Sequence, residues 1–184
     1  MKEKFSKCIP YDKNIRGRIG GNPPILIEDI IPENYLFYAT IVHPRKENYM
    51  LSILIHKDFD TRIEKNIYPN IEVKVIEHNY SEEGLLEEKR NNDISINSIT
   101  NYLDKANEND FFIVKAGGTP NFIQHKDYYY KELNKDGYFY LLQIDEEGYS
   151  DDLLIDNYPF NYGALYLYEQ NETKKIIAGF WQYS

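Results

Sequence analysis

Four histidines, one cysteine and two clusters of carboxylates are the residues of this chain with the most obvious chemistry to offer. His43, His56, His78 and His125 stand singly, with no HExxH pair and no cysteine beside them, so a zinc centre would have to be assembled wholly by tertiary structure. No metal ligand set and no cofactor are expected. Cys8 is the lone cysteine, which excludes an intramolecular disulfide and a CxxC redox or zinc motif. Asp145-Glu146-Glu147-Gly148 resembles a calcium loop only in its first residues, since Tyr149 falls on a ligand position. There is no GxSxG nucleophile elbow, and no spacing that pairs Asp145 with a second carboxylate for acid–base work. The expectation leans to a non-enzymatic binding protein, with a small-ligand-binding protein or unrecognised enzyme using a cleft between two halves as the alternative.

Three polar residues invite a binding role. Gln124, Gln143 and Asp145 lie in or beside apolar segments, where burial without partners would cost roughly 1–3 kcal/mol each. Two readings follow from that cost. Either they bind the backbone of nearby turns and staple the structure, or they line a ligand cleft between two halves of the molecule.

Two halves are expected because the chain repeats itself. Arg18-Ile19-Gly20-Gly21-Asn22-Pro23 returns as Lys115-Ala116-Gly117-Gly118-Thr119-Pro120, and each copy leads into an apolar strand. Gly20, Gly21, Pro23, Gly117, Gly118 and Pro120 read as structural turns, with glycine permitting positive φ and proline ending ladder pairing. Neither copy has the Gly-Lys-Ser/Thr ending of a phosphate loop.

The elements that must position these residues follow from pattern. Runs of β-branched, aromatic and aliphatic residues predict strands at Tyr35 to Val42, Tyr49 to His56, Phe111 to Val114, Tyr138 to Ile144, Tyr162 to Glu169 and Lys175 to Gln182. Ile71 to Glu77 alternates with period two. Helical turns are expected in Lys57 to Tyr68 and Lys126 to Leu133, and a short helix over Ser81 to Lys89. The three- and four-residue spacing of Ile96, Ile99, Tyr102, Leu103 and Ala106 predicts an amphipathic helix from Ser95 to about Asn107. Residues before Tyr11 read as irregular. The whole is one compact body: an N-terminal half over about residues 12–81, a helical connection over about 82–109 and a C-terminal half over about 110–184.

The second half carries a family resemblance. Gly117-Gly118-Thr119-Pro120 with Gln124, Leu141-Leu142-Gln143-Ile144-Asp145 and Gly163-Ala164-Leu165-Tyr166-Leu167-Tyr168 resemble the bacterial YwqG-like family, which has no established biochemical activity. The likeness reaches the first half through Gly20 to Pro23 and Phe37 to Ile41, with Thr40 where the family tends to carry Gln. It implies an α+β fold of two related, mainly antiparallel halves, and a role like that of immunity proteins, among which similar proteins have been proposed to sit.

Charge narrows the partners. With 21 basic and 30 acidic residues the chain carries −9, and its arginines are dispersed, so neither nucleic acid nor an anionic membrane is an expected partner. The clusters Glu82-Glu83 with Glu87-Glu88, and Asp145 to Asp152, point to a basic protein such as a toxin. No apolar run nears the ~18 residues of a membrane span, and Met1 to Asp12 does not read as a secretory signal, so a cytoplasmic location is expected. Eighteen tyrosines are as well explained by A/T-rich codons as by a binding face.

Overall fold

The computed structural model describes residues 1–59, 63–104 and 110–184. Segments rich in β-branched, aromatic and aliphatic residues form the long strands β4 (Tyr35–Val42), β5 (Tyr49–His56), β6 (Val73–Asn79), β9 (Tyr138–Asp145), β10 (Ala164–Gln170) and β11 (Ile176–Gln182), the apolar residues of β6 alternating with charged ones. Five three-residue strands complete the framework: β1 (Lys4–Ser6), β2 (Cys8–Pro10), β3 (Gly17–Ile19), β7 (Asn97–Ile99) and β8 (Val114–Ala116). The one α-helix among the described residues is α1 (Lys131–Lys135). Among the described residues short 3-10 segments occur at several loops, the longest at Ile25–Ile30.

The strands make two antiparallel sheets. One runs β2-β7-β3-β4-β5-β6 and the other β1-β8-β9-β10-β11. Their facing sides share the main core, with Ile19, Ala39, Ile41, Leu51 and Ile53 from the first and Val114, Leu142, Ile144, Leu165, Leu167 and Trp181 from the second. This alternation is what a strand with one face inward requires. The outer face of the six-stranded sheet is covered by the Ile25–Ile30 turn through Ile27, which packs with Phe37 and Leu54. The outer face of the five-stranded sheet is covered by Tyr129 and Leu133, against Tyr166, Tyr168 and Phe180. Five of the eighteen tyrosines, Tyr38, Tyr129, Tyr138, Tyr166 and Tyr168, are core residues.

One end of the first sheet, at β2 and β7, and the start of the second, at β1, depend on segments with weak patterns of their own. The residues before Tyr11 are not irregular: β1 pairs with β8 in one sheet and β2 pairs with β7 in the other, so the N-terminus ties the two together. The expected Ser95 to Asn107 helix is replaced, over its described part, by β7, which fills the slot between β2 and β3; Ala106 and Asn107 lie outside the described residues. The Ser81 to Lys89 helix shrinks to a 3-10 turn at Glu87–Lys89, because Glu83 makes an antiparallel bridge to Pro24, with Gly84 N donating to Pro23 O at 2.8 Å and Ile25 N to Glu82 O at 3.0 Å. The connection between the halves is therefore not helical in these places. Of the Lys57 to Tyr68 turn, Ile63–Lys65 is 3-10 and residues 60–62 lie outside the described residues. No helix among the described residues is long and apolar enough to cross a membrane.

Candidate functional site

Each Gly-Gly turn leaves a short strand and docks on a bulge in the next. Tyr38 is the residue skipped in the β4–β5 register, and Leu141 is skipped in the β9–β10 register. Their carbonyls accept the N–H of Gly20 and of Gly117, both at 2.9 Å. All four turn glycines have φ between 64° and 75°. A Cβ on Gly20 would run into the Ser95 carbonyl oxygen, and one on Gly117 would sit 2.8 Å from Lys2 O, so both positions demand glycine. A cation from each preceding strand then caps the loop: Arg18 donates to Gly20 O at 2.7 Å and to Asn22 O, and Lys115 donates to Thr119 O at 2.6 Å and Asn121 Oδ1 at 2.8 Å.

The loop after Gly117-Gly118 is held from below by glutamines. Gln143 is 1% exposed; its Oε1 accepts from Asn121 N at 2.8 Å and from the Tyr140 hydroxyl at 3.3 Å. Gln182, also buried, accepts from Ile123 N at 2.9 Å and Gln124 N at 3.1 Å and donates to Gln124 O at 2.8 Å. Gln124 in turn accepts from Tyr129 and donates to Tyr183 O. Both Gln124 and Gln143 therefore spend their polar atoms on backbone and neighbouring side chains. Gln182 was not singled out from the sequence, although a glutamine ending the apolar run Ile176 to Trp181 is the visible signal.

Asp145 and Gln143 do meet on the wall of a cleft of about 270 Å³ that also includes Phe5, Phe112, Lys115 and Asn121. Gln124 is not on that wall, and the cleft sits on the five-stranded sheet rather than between the sheets. Asp145 Oδ1 accepts from Glu147 N at 3.0 Å, opening the 3-10 turn Glu146–Gly148. Burial raises its proton affinity, and the neighbouring Glu147 charge adds to that.

Glu146 is the unexpected carboxylate. It is 1% exposed, accepts from Phe160 N at 2.8 Å, Gly163 N at 2.9 Å and the Tyr149 hydroxyl at 3.3 Å. Burial pushes its pKa up to about 7 against the downward pull of those donors. Tyr149 and Tyr38 are joined hydroxyl to hydroxyl at 2.7 Å, and both are raised well above the usual phenol value by burial first. This chain ties β4 to the loop before β10. Tyr38 and Glu146 are buried and Tyr149 is half-buried between them, so the chain serves as a clamp.

The histidines are spread over separate roles. His43 is buried, with Nδ1 accepting from Arg45 N at 3.0 Å and Lys46 N at 3.2 Å, and burial lowers its pKa to about 4. His78 is 2.7 Å from the Ser52 hydroxyl, but Ser52 is wholly buried and offers no nucleophile to solvent. His56 Nδ1 accepts from Asp58 N, and the His125 ring lies edge-on to Phe122. Among the described residues no three His, Cys, Asp or Glu side chains group as a metal site would require.

A group of exposed aliphatic residues around the Ile25–Ile30 turn was not picked out from the sequence. Ile25, Leu26 and Ile30 on the 3-10 turn are each more than half exposed, and Leu85 beside them is 90% exposed. Glu28 fixes this geometry, its Oε1 accepting from Leu85 N and Leu86 N at 2.7 Å each. Exposed Glu82, Glu87, Glu88 and Asp29 stand around the patch. In the acidic set from Asp145 to Asp152, Glu146 is inside and Asp145 half-buried, while Glu147, Asp151 and Asp152 are exposed, with Asp152 Oδ1 accepting from Asn97.

Comparison of the chain with family models, with characterised proteins and with solved structures gives no match.

Proposed function

We propose that this chain is a non-enzymatic protein-binding module, inhibitor-like or immunity-like, whose interface is the Ile25, Leu26, Ile30 and Leu85 patch. The single observation behind this reading is Leu85, a large aliphatic side chain 90% exposed, whose backbone N–H is held by Glu28 of the 3-10 turn that also carries exposed Ile25, Leu26 and Ile30. Contiguous apolar surface rimmed by polar groups is the mark of a docking face. The partner is a basic protein, since the rim carries Glu82, Glu87, Glu88 and Asp29 and the whole chain −9. A cytoplasmic setting fits Cys8, whose thiol is paired with the Ser150 hydroxyl and not with another sulfur.

The same proposal takes the chain as a YwqG-like protein of α+β class, built from two copies of one unit. Supporting this are the like strand orders β3-β4-β5-β6 and β8-β9-β10-β11, the bulges at Tyr38 and Leu141, and the matching bonds of Gly20 and Gly117. A small-ligand or enzyme reading centred on Gln143 and Asp145 is favoured only by their shared cleft.

The test is site-specific photo-crosslinking in the native cell, with the probe at Leu85 and, as reference, at exposed Glu172 in the loop between β10 and β11. A single basic protein captured from position 85 and not from 172, then shown to bind the purified chain less tightly when Leu85→Asp is introduced, supports the reading. Equal capture from both positions, or unchanged binding by the variant, overturns it.

A further inference from the structure

Arg18 and Lys115 reach forward from corresponding strands to corresponding carbonyls, yet only one of them is neutralised. The Lys115 ammonium lies 3.2 Å from a carboxylate oxygen of Glu3 and spends its other donors on Thr119 and Asn121. Arg18 is 5% exposed, with its guanidinium carbon 4.7 Å from the centre of the Phe37 ring. Among the described residues it forms no ion pair within 4.0 Å. Glu83 attracts it from farther off, but the Glu83 carboxylate is engaged by Asn22 N at 2.6 Å. An uncompensated buried charge is strongly unfavourable, and burial accordingly weakens the hold of Arg18 on its proton.

A guanidinium has five N–H donors in a planar fork. Among the described residues the two side-chain bonds of Arg18 come from its terminal nitrogens, to Gly20 O and Asn22 O, and neither uses Nε–H. Arg18 forms part of the wall of a cleft of about 280 Å³, with Lys13, Arg16, Tyr11, Tyr80 and Glu82 around it. Lys13 is exposed and forms no ion pair among the described residues. Cations thus converge on one cleft of a chain whose net charge is −9. The volume is close to the ~300 Å³ lower end of small-molecule sites, room for a single ring with its head group.

We propose that this cleft binds a small oxyanion, a carboxylate or a phosphate monoester on a compact organic body. The free N–H edge of Arg18 takes two oxygens of the head group, Lys13 adds charge from the wall, and the Tyr11 and Tyr80 rings flank the body. Glu82 and Glu83 on the same wall disfavour heads of higher charge. This site adjoins the Leu85 patch, with Glu82 at the border of both, but the proposal does not depend on that patch.

The test is titration of the ¹⁵N-labelled protein with benzoate and with phenyl phosphate at constant ionic strength, sodium chloride serving as reference, read at the Arg18 Nε–H resonance. A saturable shift with either probe supports the site, and the stronger probe names the head group. Arg18→Lys should weaken binding ~10-fold or more, because an ammonium cannot reproduce the bidentate fork. Lys13→Ala, at an exposed position, should weaken it a few-fold and keeps the test decisive if Arg18→Lys does not fold. The Leu85→Asp variant should bind both probes normally. No shift beyond that of chloride, or unchanged affinity in the Lys13→Ala protein, overturns the proposal.

Discussion

Tyr38 and Leu141 hold the same office in different sheets: each is the extra residue of a β-bulge, and each offers its carbonyl to the first glycine of a Gly-Gly turn at 2.9 Å. A bulge bends its strand and frees a carbonyl from the regular ladder. The turn glycine takes up that carbonyl, which anchors the loop beside the cation of the preceding strand.

Replacing those glycines should therefore destabilise the fold. Gly117→Ala incurs about 1–2 kcal/mol for an L-residue at positive φ, and Gly20→Ala should lose more, because its Cβ meets the Ser95 carbonyl more closely than that of residue 117 meets Lys2. Urea midpoints of the two variants check the order. Losses near zero in both would contradict the docking of the turns.

Glu146 should make stability depend on pH. Its folded pKa of about 7 lies above the ordinary 4.5, so the folded state binds the proton more tightly than the unfolded state. The contribution is therefore fully present below about pH 4.5 and is lost as pH rises through about 7. At 1.36 kcal/mol per pH unit the span is at most ~3 kcal/mol. Glu146→Gln should flatten this part of the profile. A wild-type melting temperature that is level over that range would exclude the effect.

The glutamine staples should be worth more to the loop than to any ligand. Gln182→Ala leaves the N–H groups of Ile123 and Gln124 without their acceptor, at roughly 1–3 kcal/mol. Hydrogen exchange should quicken at those two amides specifically. Exchange that stays unchanged there would show that the loop is held by other means.

The exposed patch predicts the opposite balance of stability and binding. Leu85→Ser should change stability by no more than about 0.5 kcal/mol, since the side chain is 90% exposed. Reversing Glu82, Glu87 and Glu88 to Lys should slow association with a basic partner most at low ionic strength. Stopped-flow rates across a salt series measure this, and rates indifferent to both salt and charge would remove the acidic rim from the interface.

Much of the framework was legible because local pattern and tertiary demand agree. Tyr35–Val42 and Tyr49–His56 are strands over the residues their composition predicts, since a β-branched and aromatic run suits a pleat buried on both faces. The Gly-Gly turns were visible for a similar reason, as only glycine adopts their φ freely. Gln143 was legible as a buried polar group; that its partner would be Asn121 N was not.

What tertiary structure alone decided are the places where a distant partner outweighs local preference. The spacing of Ile96, Ile99 and Tyr102 favours a helix, but β2 and β3 leave an open slot, and residues 97–99 gain ladder bonds on both sides by filling it. Asn97 and Ser98, poor core residues by type, are satisfied there by Ser150 and Asp12. Glu146 likewise reads as surface charge until Phe160, Gly163 and Tyr149 converge on it. Hydrophobic periodicity records only which face of a segment is apolar; the donors and acceptors that settle the fate of its polar residues come from elsewhere in the chain, and only folding brings them within reach.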